Sequence, residues 1–182
     1  MAALTDLPDN KNFLSPLGFT FTIKKTPGVN YFVQSVDLPG ISMGTADVQT
    51  PFVRLPFPGD KIDFTQLSVT FRVDEDMSNY KELFDWLIAI GYPESTDQYK
   101  AIAPRNRFGG TGPEAITGAG IFSDASLIVL NSVKAPIIDY QFKNLFPVGL
   151  SSLSFDTRNS DVEYLDVTAT FAYESFRLNY IT

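Results

Sequence analysis

The stretch Asp63–Gly91, DFTQLSVTFRVDEDMSNYKELFDWLIAIG, decides the fold because its hydrophobic period changes halfway along. Leu67, Val69, Phe71 and Val73 alternate with Ser68, Thr70 and Arg72, the pattern of a strand with one buried and one wet face. After the acidic turn Asp74-Glu75-Asp76, the apolar residues Tyr80, Leu83, Phe84, Leu87 and Ile88 recur at helical spacing. Ser78 or Asn79 is placed to cap this helix, and with Asn79 as cap Glu82 stands at the capping-box position. The acids suit the positive end of the helix dipole, and Gly91 with Pro93 supplies the stop. The expected packing lays the Leu83/Leu87 face, flanked by Trp86 and Ile90, on the strand before it. This helix, about 78–91, is the one the sequence predicts.

Working outward, the rest reads as sheet and loop within a single domain spanning 1–182. Residues 1–15 form a polar N-terminal arm. Phe19, Phe21 and Ile23 alternate with polar residues, and Pro27-Gly28-Val29-Asn30 reads as the turn of a hairpin whose second strand is Tyr31 to Leu38. From Gly40 to Asp60, Pro51, Pro56 and Pro58 punctuate Phe52, Val53, Leu55 and Phe57. Proline lacks the donor a central strand needs, so this segment is expected as an edge or a projecting ribbon, and an apolar projecting ribbon needs a partner. Residues 92–122 form a Gly-rich loop, longer than the ~12–15 residues usual for unstructured connections and expected to order on contact between copies. Strands are expected at Ser126 to Val133, Ile138 to Leu145, Leu150 to Phe155 and Val162 to Tyr173, the last two joined by the turn cluster Asp156–Asp161. In the last of these, Leu165, Val167, Ala169, Phe171 and Tyr173 oppose Asp166, Thr168 and Thr170. The class is mainly β, a small antiparallel barrel or sandwich with one flanking helix.

Composition removes whole classes of chemistry. The 182 residues contain no Cys and no His, so there is no Ser-His-Asp triad, no Cys-His pair and no histidine or cysteine metal centre. A formal charge of -7 argues against gripping phosphate, which takes clustered Lys and Arg. No run of about 18 apolar residues and no basic-then-apolar leader is present, which points to a protein kept in solution without a membrane span. Asp74, Glu75 and Asp76 are the densest acidic group, but they lack the glycine and terminal glutamate of a calcium loop and read as solvated, dipole-complementing acids. Gly110-Thr111-Gly112-Pro113-Glu114-Ala115 fits G-x-G-x-x-A only formally, since Pro113 occupies the turn and no strand precedes it. No catalytic, cofactor or metal residue is assigned.

Leu55 to Trp86, LPFPGDKIDFTQLSVTFRVDEDMSNYKELFDW, resembles the Gly-Asp, strand, Asp-Glu, helix-with-Trp segment of the tail tube proteins of contractile-tailed bacteriophages. Phe146 to Phe176, FPVGLSSLSFDTRNSDVEYLDVTATFAYESF, is similar to that family's closing run, and Leu38-Pro39-Gly40-Ile41 fits its early Leu-Pro turn. The resemblance implies a virion structural protein, assembled in the host cytoplasm, whose hexameric rings stack into the inner tube of a tail. The implied partners are further copies of the chain and the sheath, baseplate and tail terminator proteins, with double-stranded DNA passing through without tight binding. Within that reading, Ser68, Thr70, Arg72, Asp166, Thr168 and Thr170 face the lumen. Phe52, Val53, Leu55 and Phe57 of the ribbon, with Phe108 and Phe122 of the long loop, contact neighbouring copies. A baseplate tube initiator or the tube protein of a type VI-like injection system shares the resemblance. From a different class, a carbohydrate- or receptor-binding sandwich fits the aromatic content, and size in solution with a glycan screen separates it.

Overall fold

Residues 12–91, 121–156, 158 and 164–181 are described by the computed structural model. The alternating stretch forms strand β5 (Leu67–Arg72), with Leu67, Val69 and Phe71 fully buried. It lies between β2 (Val33–Asp37) and β8 (Asp166–Ala172), antiparallel to both. The other strands are β1 (Phe19–Ile23), β3 (Ile41–Gln49), β4 (Arg54–Phe64), β6 (Ser123–Leu130), β7 (Pro136–Leu150) and β9 (Ser175–Tyr180). One hydrogen-bonded path runs β1-β6-β7-β8-β5-β2, with β9 on β7, and it does not close into a barrel.

The path folds into two layers because β7 belongs to both. Its first part pairs with β6 and β9, and its end, from Phe146 to Leu150, pairs with β8. Between them Asn144 has φ 53°, a left-handed conformation that Asn tolerates better than most residues, and the register slips by one residue there. A second slip follows beside Pro147 and Gly149. The sequence predicts two strands here, Ile138 to Leu145 and Leu150 to Phe155. In fact β7 runs through its proline, and 151–156 is not strand. The outer half-sheet is thus β9, β7, β6 and β1, and the inner half-sheet is the end of β7, then β8, β5 and β2. Phe21, Ile23, Leu127 and Phe142 of the first meet Val69, Phe71, Val167 and Phe171 of the second in one core.

Helix α2 (Ser78–Gly91) has the bounds the sequence predicts, and the face it buries is turned slightly from the expected one. Asn79, Leu83, Trp86 and Ala89 are buried, Leu87 is half-buried and Phe84 is exposed. Trp86 sets this rotation: its indole N–H donates to the Ile121 carbonyl at 2.9 Å and its ring lies 6.4 Å from Phe171. Asn79 is not a capping-box cap. Its amide reaches back to the strand, donating to the Arg72 carbonyl at 2.8 Å, while Glu82 accepts the Gly28 N–H at 3.2 Å.

The expected β1–β2 hairpin does not form. Pro27–Asn30 is a helical turn, α1, that carries the chain from one layer to the other, so β1 and β2 end up at opposite ends of the path. Val29 is fully buried beneath it, and the Asn30 side chain clips it to β1, accepting from the Ile23 N–H at 2.8 Å and donating to the Ile23 carbonyl at 3.2 Å. An apolar residue inside a tight turn draws that turn into the core, which a hairpin tip cannot supply.

Candidate functional site

The six polar residues singled out on two distant strands lie side by side. Ser68 pairs with Thr170, Thr70 with Thr168 and Arg72 with Asp166, three consecutive cross-strand pairs on the face of β5 and β8 turned away from the core. The Thr70 and Thr168 hydroxyls are 3.0 Å apart, and Arg72 Nε donates to Asp166 at 3.1 Å while its guanidinium stacks over Tyr164 at 4.8 Å. Both members of the ion pair are over a third exposed, so it adds little stability and mainly neutralises the face. Both edges of this half-sheet are open among the described residues: β2 pairs only with β5, and the end of β7 only with β8.

The predicted ribbon is a separate two-stranded sheet of β3 and β4 that pairs with no other strand among the described residues. Pro56 and Pro58 sit two apart in β4, so both missing donors fall on one edge. Every residue of the two strands is exposed except Gly59, which is half-buried. Four apolar cross-strand pairs line it, Ile41 with Phe64, Met43 with Ile62, Ala46 with Phe57 and Val48 with Leu55. Of the contact residues expected there, Phe52 is 94% exposed and Phe57 62%, with Val53 and Leu55 also uncovered. Phe122 lies elsewhere, its ring 5.7 Å from Phe146 on its own subunit, and Phe108 and residues 92–120 of the long loop fall outside the described residues.

Sequence reasoning missed how the ribbon is anchored. The Thr65 hydroxyl accepts the Gly40 N–H at 2.7 Å, Thr65 N–H donates to the Gly40 carbonyl at 3.1 Å, and the Tyr173 hydroxyl donates to the Thr65 carbonyl at 2.8 Å. Phe64 packs its ring 5.4 Å from Phe176 and 6.1 Å from Tyr173. Burial pushes the Tyr173 phenol above its ordinary value, which keeps it a donor. Phe176, Leu178 and Tyr180 alternate with Arg177 and Asn179, a strand signal at the C-terminal end that the sequence reading passed over and that forms β9.

On the outer face of the other half-sheet, Thr22, Lys24, Asp124, Gln141, Lys143 and Arg177 line a cleft of about 620 Å³. Lys24 bonds Asp124 at 2.9 Å and, chiefly through that bond, holds its carboxyl below the usual range. The cleft carries both signs of charge. Among the described residues, no cluster of three or more metal-ligating side chains occurs and no helix is long and apolar enough to cross a membrane.

No protein-family model matches the chain. Its fold matches a chain of the cryo-EM sheath/tube terminator of the PVC extracellular contractile injection system, with TM-score 0.61 and 18% identity over 93% of this chain and 99% of that one. A chain of the PVC sheath-tube complex in the extended state matches with TM-score 0.61 and 16% identity over 94% of each. Fold and sequence point to one class: the chain has the fold of tube and tube-terminator proteins of contractile injection systems, and its sequence is similar to a structural tail component. Within that class, its sequence is 29% identical over 149 residues to the tail tube terminator protein of Enterobacteria phage T4, covering 80% of this chain and 75% of that protein.

Proposed function

We propose that the chain forms a six-membered ring that ends a contractile tail tube, as a tube terminator. The observation that carries the ring is the inner half-sheet, four strands wide and with both edges open among the described residues. Unpaired strand edges demand partners, and a heterologous contact from β2 of one copy to the end of β7 in the next continues the sheet and closes on itself. The three polar pairs from Ser68/Thr170 to Arg72/Asp166 then line the lumen. Short hydroxyls, a self-neutralised ion pair and a charge of -7 per copy suit a wall that DNA passes without adhering. The terminator role is supported by the sequence likeness to the phage T4 protein.

A second reading, a subunit of the tube body, is favoured by the ribbon, whose apolar surface projects beyond the subunit and suits contact between stacked rings. Negative-stain microscopy and native mass measurement of the purified protein separate the readings. A terminator gives single rings that do not grow, a body subunit gives long tubes, and a strictly monomeric protein at high concentration sinks both.

A further inference from the structure

The core-facing side of the outer half-sheet runs out from beneath its cover. Phe19, Val129, Ile138 and Tyr180 stand in one register row across all four strands, next to the row of Phe21, Leu127, Tyr140 and Leu178. Phe21 and Leu127 are buried, Phe19, Val129 and Ile138 only half so, and exposure rises to 44% at Leu178 and 76% at Tyr180. The result is an apolar shelf four strands wide, packed on the core at Phe19 and Tyr140 and left increasingly open toward β9 among the described residues.

The same subunit carries a second uncovered apolar sheet surface, the ribbon, and does not use it to cover the first. The anchor explains why. Two Gly40–Thr65 bonds, the Tyr173–Thr65 bond and the Phe64 ring on Phe176 fix the base of the ribbon beside β9, and beyond Phe64 it leaves the body with Phe57 still 62% exposed. Two flat apolar sheet surfaces, one projecting and one recessed, form a heterologous pair that one rigid copy cannot satisfy and adjacent copies can.

We propose that the ribbon of one copy docks on the Phe19/Val129/Ile138/Tyr180 shelf of its neighbour. The ribbon, about 30 Å long at ~3.3 Å per residue, crosses a shelf whose four strands span about 15 Å at ~4.8 Å spacing, with the two sheets ~10 Å apart. This deepens the ring reading, on which it rests, by naming what receives the ribbon.

The chain has no cysteine, so introduced thiols report without background. Full-length Phe57→Cys and Tyr180→Cys proteins are mixed and oxidised, and the 57–180 disulfide is sought by mass spectrometry. A control pair joins Phe57→Cys with Ser126→Cys, which lies on the opposite face of the same half-sheet. The expected result is a 57–180 cross-link at least ten times more abundant than 57–126, and a ladder of covalent oligomers when both substitutions share one chain. Equal yields of the two cross-links, or an intramolecular 57–180 loop in the doubly substituted chain, overturn the docking. Microscopy of the unsubstituted protein judges the ring separately: rings without the 57–180 cross-link refute the shelf alone, and the cross-link without rings refutes closure alone.

Discussion

Tyr173 shows how much one hydroxyl decides here. Its ring belongs to the aromatic cluster with Phe142 and Phe176, at centroid distances of 5.3 and 6.0 Å, while its hydroxyl holds the Thr65 carbonyl at the root of the ribbon. Tyr173→Phe keeps the ring and removes the donor, so the expected loss is about 1 kcal/mol, seen chiefly as faster amide hydrogen exchange in β3 and β4. The phenol titrates higher folded than unfolded, so its contribution is complete below about pH 10, the ordinary tyrosine value, and is lost as pH climbs through the raised folded one. The stability difference between wild type and Tyr173→Phe should therefore shrink above pH 10; a difference that grows with pH refutes the assignment. The alternation through Tyr173 predicts a core-facing ring, and its partner 108 residues earlier in the chain has no local signal.

At the scale of the element, α2 and the ribbon behave oppositely because one is buried and the other is not. Leu83 is fully buried at the centre of the helix face, so Leu83→Asp costs about 4 kcal/mol or more and removes cooperative unfolding in a thermal melt. Half-buried Leu87 can turn a carboxylate toward water, and Leu87→Asp should cost about 1–2 kcal/mol and leave a folded protein. If both variants unfold, the rotation of the helix face set by Trp86 is wrong. In the ribbon, a Cβ on Gly59 would stand 2.5 Å from the Gly44 carbonyl oxygen, at the bulge where β3 and β4 slip register. Gly59→Ala should distort the ribbon while leaving the melting temperature within about 2 °C, since β3 and β4 bury little against the body, and it should weaken assembly in sedimentation. A large drop in melting temperature would mean that the ribbon is part of the core. Helix bounds and the proline-marked ribbon were legible because the 3.6-residue apolar period, the Gly91 stop and the prolines act locally. The route of α1 and the continuity of β7 were not, because a buried Val29 and a left-handed Asn144 acquire their meaning only from the opposite layer.

For the whole molecule, the test is whether the polar face of β5 and β8 is wet in the assembly. Thr168 and Thr170 are half-buried in the isolated subunit and point away from the core, so Thr168→Lys with Thr170→Lys should still permit rings. Six copies then place twelve added cations around one lumen, and DNA retention should appear with a steep salt dependence, measured by DNA binding to assembled rings at several salt concentrations. Loss of rings in the double variant, with the wild type itself binding DNA tightly, would remove the lumen assignment. The sequence by itself determined a mainly β class, the extent of α2, the projecting ribbon, the two-sidedness of β5 and β8 and the exclusion of histidine and cysteine chemistry. Each follows from composition or from periods of two and 3.6 residues, which act over one element at a time. Only the tertiary structure decided that β1 and β2 part company, that the polar faces of β5 and β8 align pair by pair, and that an apolar shelf and an apolar ribbon both stay uncovered. Those are matters of register and layer order, fixed by contacts between residues up to about a hundred positions apart, such as Arg72 with Asp166, and the alternation of either strand alone is the same in any register shifted by two.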